Sequence, residues 1–386
     1  MLRRFLVSLV ILPILLVAGC APVGLRVPWG LSKLPWTVLY LDSNQRLVAQ
    51  GMDHPLLEKA QTNSVAPSPS GAHLAAVDEQ GRLSIVPIVA GARVQIDAGP
   101  VDTSFWPKVS PWSADGRSLV YVARGDIMYY RLGRKPRQLT TTKDAFTPTL
   151  SPDGSLVAYG RRTKEAQQDL GLWVVSVKGG EPRQLVDATG DVFSACCPTW
   201  SPDQQWIAFL QAYEGGAVGV VKSDGSGVNV GIEAAWLPLC WSPDSTTVVF
   251  PKIYYGESGD GLWRYSVGTQ QTEMLAGKGL TAEPIVSADY TRAILAMAEK
   301  QVEGKPRQTK LLEYALPAWQ RGSEQATLPG QAVRGLFSPD GAQVALLMVE
   351  DNKFPLYVGP GTVKGLKKIA AAEELMGWVR LPVEKE

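Results

Sequence analysis

The chain has 386 residues, with 38 lysines and arginines against 37 aspartates and glutamates, a net charge of +1 at neutral pH. That balance, with no basic run or cluster, speaks against a nucleic-acid partner. Hydrophobic residues make up 45 %, enough for a packed core, and only two histidines, His54 and His73, are present.

The first element is a targeting segment. Arg3 and Arg4 precede an apolar stretch from Phe5 to Val17, too short to span a bilayer, which takes ~20 residues. A basic start followed by a short apolar run fits a signal peptide. The run ends in Val17-Ala18-Gly19-Cys20, which resembles the lipobox of bacterial lipoproteins. The resemblance implies residues 1–19 as a cleaved signal, a diacylglycerol on Cys20, and residues 20–34 as a lipidated terminus and spacer. Residues 35–386 then form one domain. The expected location is extracytoplasmic, anchored to the cell membrane, or to the outer membrane where there are two; two or more acyl chains would hold it stably. A secretory signal with a chance cysteine is the plain alternative.

Next come Trp36–Asp42 and Gln45–Gly51, both strand-like, and then Leu56–Ala60. From Ser68 a phrase recurs: "SPSG" at 68, "SADG" at 113, "SPDG" at 151, "SPDQ" at 201, "SPDS" at 242, "SADY" at 287 and "SPDG" at 338. The serines lie 45, 38, 50, 41, 45 and 51 residues apart, the length of one four-stranded propeller blade. Serine, proline, aspartate and glycine suit the successive positions of a tight turn. A large apolar residue often stands just before it: Trp112, Leu150, Trp200, Trp241, Val286, Phe337. After it come runs such as "SLVAYG" and "QWIAFL", then "GLWVVSV" or "GLWRYSV", then "PRQL". Four short β-rich runs per repeat predict an all-β fold, a β-propeller of four-stranded blades.

The stretch "PTLSPDGSLVAYGRR…GLWVVSVKGGEPRQL" is similar to the WD40-like repeat of the TolB type, and the propeller is also akin to that of dipeptidyl peptidases. The likeness runs from about Ser64 to Ala370 and is strongest from Pro136 to Val267. TolB carries an α/β domain before its propeller, whereas here only a spacer is expected before the blades, so TolB's partners are not expected to carry over. No hydrolase domain is expected beside the dipeptidyl-peptidase likeness.

"ELMGWVRLP" (Glu374 to Pro382) has no blade of its own. It is expected to supply the missing first strand of a composite blade whose second, third and fourth strands are Trp36–Asp42, Gln45–Gly51 and Leu56–Ala60. Seven anchored blades and this one make eight; seven remains the alternative if the repeat at Ser68 or Ser287 is not a blade.

Antiparallel strands put the serine corners on one face and the second-to-third loops on the other. Function usually resides on variable loops held by a rigid scaffold. The candidate binding loops carry Arg161, Arg162 and Lys164; Tyr254, Tyr255, Glu257 and Asp260; and Lys300 and Lys305. Blade connections supply candidate channel-mouth groups: Asp102, Asp144, Asp191, Glu233, Glu283 and Arg334. They suit a cation or a basic peptide; capping backbone donors at strand starts is the bland reading. Cys196, Cys197 and Cys240 allow a disulfide from Cys240 to Cys196 or Cys197, or three buried thiols.

No catalytic residue, metal site or cofactor is expected. There is no paired-histidine motif, no Gly-x-Ser-x-Gly elbow and no phosphate loop. The reading is a lipid-anchored, monomeric propeller that binds an envelope protein or peptide. The alternative is a small-ligand receptor or enzyme using the central channel.

Overall fold

The computed structural model describes residues 34–381, apart from positions 62, 90, 105, 107 and 108 and segments 164–168, 189–193, 212–215, 233–238, 253–260, 277–279, 281–282 and 300–306. The chain is an eight-bladed β-propeller, with antiparallel blades and no helix among the described residues. Blade 1 runs from Val65–Pro67 to Val94–Asp97, blade 2 from Val101–Asp102 to Arg137–Gln138, and blade 3 from Ala145–Leu150 to Arg183–Val186. Blade 4 runs from Cys196–Trp200 to Asn229–Ile232 and blade 5 from Cys240–Trp241 to Gln271–Ala276. Blade 6 runs from Ile285–Val286 to Gln320–Pro329 and blade 7 from Gln331–Phe337 to Lys367–Ala371. Within each, strands follow one another outward in chain order.

The eighth blade is the seam. Glu374–Arg380 pairs with Trp36–Leu41, which pairs with Leu47–Ala49. The closing strand is therefore where the sequence places it. The fourth strand expected at Leu56–Ala60 is reduced to one bridge, Leu47 to Leu57. The cause lies in the backbone: Ala60 N–H bonds Gln45 O across a residue with φ of 59°, so the ladder does not continue past Leu47.

Second strands show why the apolar runs are continuous rather than alternating. Successive side chains point to opposite faces, and both faces are covered by a neighbouring blade. Ile207 and Phe209 pack against blade 3, while Ala208 between them packs against blade 5. Val157 and Tyr159 face blade 2 and Ala158 faces blade 4. Each large buried side chain stabilises by about 1.5–3 kcal/mol. Among the described residues eight buried clusters result, and each joins two adjacent blades, including blade 8 to blade 1 and blade 7 to blade 8.

The corners are built from one hydrogen-bond set. In blade 4, Ser201 Oγ donates to Asp203 Oδ1 at 2.6 Å and accepts the Trp206 N–H at 2.9 Å. Asp203 Oδ1 also accepts the Gln205 N–H at 2.9 Å. The same serine-to-aspartate bond recurs at Ser113, Ser151, Ser242, Ser287 and Ser338, at 2.6–2.7 Å. At Ser68 the partner is Ser70, at 3.0 Å. The fourth corner residue takes a left-handed backbone, as Gly154 does with φ of 70°; glycine does so without steric cost. Ser201 is fully buried. Ser201→Ala is therefore expected to cost about 1–3 kcal/mol, because the Trp206 N–H loses its acceptor. Urea unfolding of the variant measures it; an unchanged midpoint would discard the hub role.

Candidate functional site

The face opposite the corners is built around the ends of second strands. In blade 3 the second strand, Leu156–Arg162, ends in two arginines, and adjacent positions project them to opposite sides. Arg161 lies opposite Ala145 in the ladder, next to Asp144. Its Nε and Nη2 donate to the two Asp144 carboxylate oxygens at 3.0 and 2.7 Å. Its guanidinium also lies 4.4 Å from the Trp173 ring centroid. Arg162 reaches Asp169 at 3.3 Å and lies 4.7 Å from the Phe146 ring centroid. Two candidate binding cations are thus held by carboxylates and rings of their own blade. Arg161 and Asp144 are 16 % and 13 % exposed, so water screens the pair little.

Burial alone would raise the Asp144 carboxyl; the bonds from Arg161 and Thr142 outweigh it and hold the group below the usual carboxylate range. The folded-state value thus lies below the unfolded one, ordinarily ~3.9. The pair's stabilisation is complete above that value and is lost as pH falls through the lower, folded one. Asp144→Asn is expected to flatten the acid side of a stability–pH profile below about pH 4. A double-mutant cycle with Arg161→Gln should give a coupling of about 1.5–3 kcal/mol; additive single-site costs would remove the pair from the account.

The other described candidate groups belong to different blades. Asp102 is exposed on blade 2, and its Oδ1 accepts the Ser104 N–H at 2.9 Å and the Ser104 hydroxyl at 2.5 Å. Beside it is a small cleft lined by Asp102, Ser104, Trp106, Val109, Val122, Thr147 and Pro148. Its volume of about 20 Å³ has room for about one water. Arg334 donates to Glu374 Oε1 at 2.9 Å, so it ties blade 7 to the closing strand. Glu283 is half-buried just ahead of blade 6. Lys164, Asp191, Glu233, Tyr254, Tyr255, Glu257, Asp260, Lys300 and Lys305 lie outside the described residues, as does Cys20. His54 is exposed; burial pushes the half-buried His73 imidazole down. Among the described residues no three of His, Cys, Asp and Glu converge as metal ligands.

Cys196 and Cys197 are free and buried, so the disulfide from either of them to Cys240 is not formed. Their sulfurs face each other at 3.1 Å instead. Neither this contact nor the roles of Phe146, Asp169 and Trp173 was foreseen from the residues. The signal was present: "AFTPTLS" (Ala145 to Ser151) and "ACCPTWS" (Ala195 to Ser201) align without gaps, placing Cys196 on Phe146 and Cys197 on Thr147. Both Thr147 and Cys197 have left-handed backbones, φ 47° and 56°, at matching bulges.

No family model matches the chain, and no curated protein matches it in sequence. Solved structures do. The dihydro-heme d1 dehydrogenase NirN, in complex with DHE, is similar at 14 % identity over 90 % of this chain and 75 % of that one, with a TM-score of 0.56. An oligogalacturonate lyase from Vibrio parahaemolyticus is similar at 14 % identity over 82 % and 93 %, TM-score 0.54. A putative TolB from Agrobacterium tumefaciens is also among the neighbours, at 17 % identity over 67 % and 89 %, with a TM-score of 0.39, too low to carry an argument. At these identities the likeness is one of fold: the chain is a β-propeller protein.

Proposed function

We propose that the protein is a lipid-anchored extracytoplasmic scaffold without catalytic activity, which presents its long-loop face to a protein or peptide of the cell envelope. The observation that carries this reading is the position of the seam. Trp36 and Arg380 are paired neighbours. They stand where the corner of blade 8 would be: Arg380 N–H bonds Gly71 O in one adjacent corner, and Gln343 Nε2, just after another, bonds Trp36 O at 2.9 Å. A tether arriving through residues 20–34 therefore joins the corner face. Fifteen residues reach at most ~50 Å, so the corner face would look toward the lipid and the long loops away from it. The corners also spend their serine and aspartate groups on themselves, leaving the opposite loops as the recognition surface.

The test is photo-crosslinking in membranes, with the crosslinker placed either within residues 253–260 or at corner residue Asp203. A discrete adduct from residues 253–260 alone is expected. An adduct from the corner alone, or none from either, would overturn the reading. Cys20→Ala should move the protein from the membrane fraction to the soluble one; retention at the membrane would overturn the anchor.

A further inference from the structure

On a strand, neighbouring side chains point to opposite faces and their ends lie far apart. Cys196 and Cys197 break that rule. The left-handed kink at Cys197, inside the bulge where blade 4's first strand meets its second, turns both sulfurs to one side, 3.1 Å apart. The kink is held from the next blade: Cys197 N–H donates to Thr147 Oγ1 at 3.0 Å. The pair is 6 % and 0 % exposed. We propose that Cys196 and Cys197 are a reversible dithiol–disulfide couple, oxidised by low-molecular-weight disulfides to a ring between the two adjacent residues.

Among the described residues no third histidine, cysteine, aspartate or glutamate joins the pair as a metal ligand, which leaves the two thiols to react with each other. An S–S bond of about 2.05 Å needs only about 1 Å of approach. Adjacent Cα atoms are about 3.8 Å apart, short of the usual 4.4–6.8 Å span of a disulfide. The ring is therefore strained and readily reduced, which makes it a couple rather than a permanent link.

Two exchanges complete the oxidation. The Cys196 thiolate, on the less buried residue, attacks one sulfur of the small disulfide. A mixed disulfide forms, and the departing thiolate takes up the proton that Cys196 lost. The Cys197 thiolate then attacks the Cys196 sulfur, and the second small thiolate leaves with the Cys197 proton. Two protein thiols and one disulfide become one protein disulfide and two small thiols. Hydrogen bonding to Cys196 and burial push the Cys197 thiol up, which slows thiolate formation, while the Arg162 charge favours it.

The experiment uses the native full-length chain and oxidised glutathione over hours, followed by alkylation and trypsin. The tryptic peptide from Gln184 to Lys222 contains both cysteines and no other. The expected result is a peptide without alkyl groups or glutathione, two hydrogens lighter than the dithiol; dithiothreitol restores two alkylation sites. Retention of both alkyl groups, a stable glutathione adduct, or a link to another peptide would overturn the proposal. Cys197→Ser, which lacks the resolving thiol, should hold glutathione on Cys196; an unmodified Cys196 in that variant also counts against it.

Discussion

Trp241→Ala is expected to lower the unfolding free energy by about 3–5 kcal/mol, the range for emptying a fully buried large aromatic site. Trp241 is completely enclosed among Ala208, Val218 and Val220 of blade 4 and Val248 and Phe250 of its own blade. Its indole Nε1 also donates to Thr199 O of blade 4 at 2.9 Å. Trp112 does the same to Ala66 O of blade 1. Trp200, the equivalent residue of blade 4, is buried with an indole N–H that finds no acceptor among the described residues. The two tryptophans should therefore respond differently to phenylalanine. Trp241→Phe strands a carbonyl and is expected to cost about 1–3 kcal/mol beyond the lost volume. Trp200→Phe removes a donor that is already unsatisfied and should cost less. Urea unfolding of both variants decides; equal costs would mean that the inter-blade bond contributes nothing.

Val379→Asp should be at least as damaging. Val379 is fully buried on the closing strand, opposite Thr37, in the cluster that joins blade 8 to blade 1. A carboxylate there has no cation among the cluster residues, and an unpaired buried charge costs several kcal/mol unless the group stays protonated. Burial would raise its folded-state value above the unfolded ~3.9, so the penalty should grow as pH rises past that point and shrink near pH 4. Val379→Ala, which leaves a cavity and no charge, should show no such pH dependence. A parallel pH response in both variants would place the damage in volume alone.

Much of the ring was legible because its information is local. A corner serine contacts residues two and five positions away, as Ser151 does with Asp153 and Leu156. Such a unit writes its own signature, and the seven corners mark seven blades, to which the composite blade adds the eighth. The seam could be inferred because Glu374–Arg380 has a strand pattern and no blade to join. What stayed hidden depends on partners far away or on backbone states that the side chain does not advertise. Nothing in threonine or cysteine announces a left-handed backbone, so the bulges at Thr147 and Cys197 were invisible singly. The break in blade 2 is another case: Val101–Asp102 and Trp112 both bond the second strand, and the chain leaves the ladder between them. The pairing of Arg161 with Asp144 needed the register of two strands, which alternation alone does not set.

The eight clusters each lie between blades, and the two that flank the seam blade are built like the rest. The polypeptide is open, but its packing is cyclic, so the point where the chain is cut is a matter of covalent bookkeeping rather than of energetics. Joining residue 380 to residue 36 through a short turn and reopening the chain at the exposed tip of another corner, such as Asp153-Gly154, would leave every blade contact in place. A circular permutant of this kind should fold to the same ring. A tether attached at its new N-terminus would enter on a different blade, turning the ring about its own axis relative to any surface that held it.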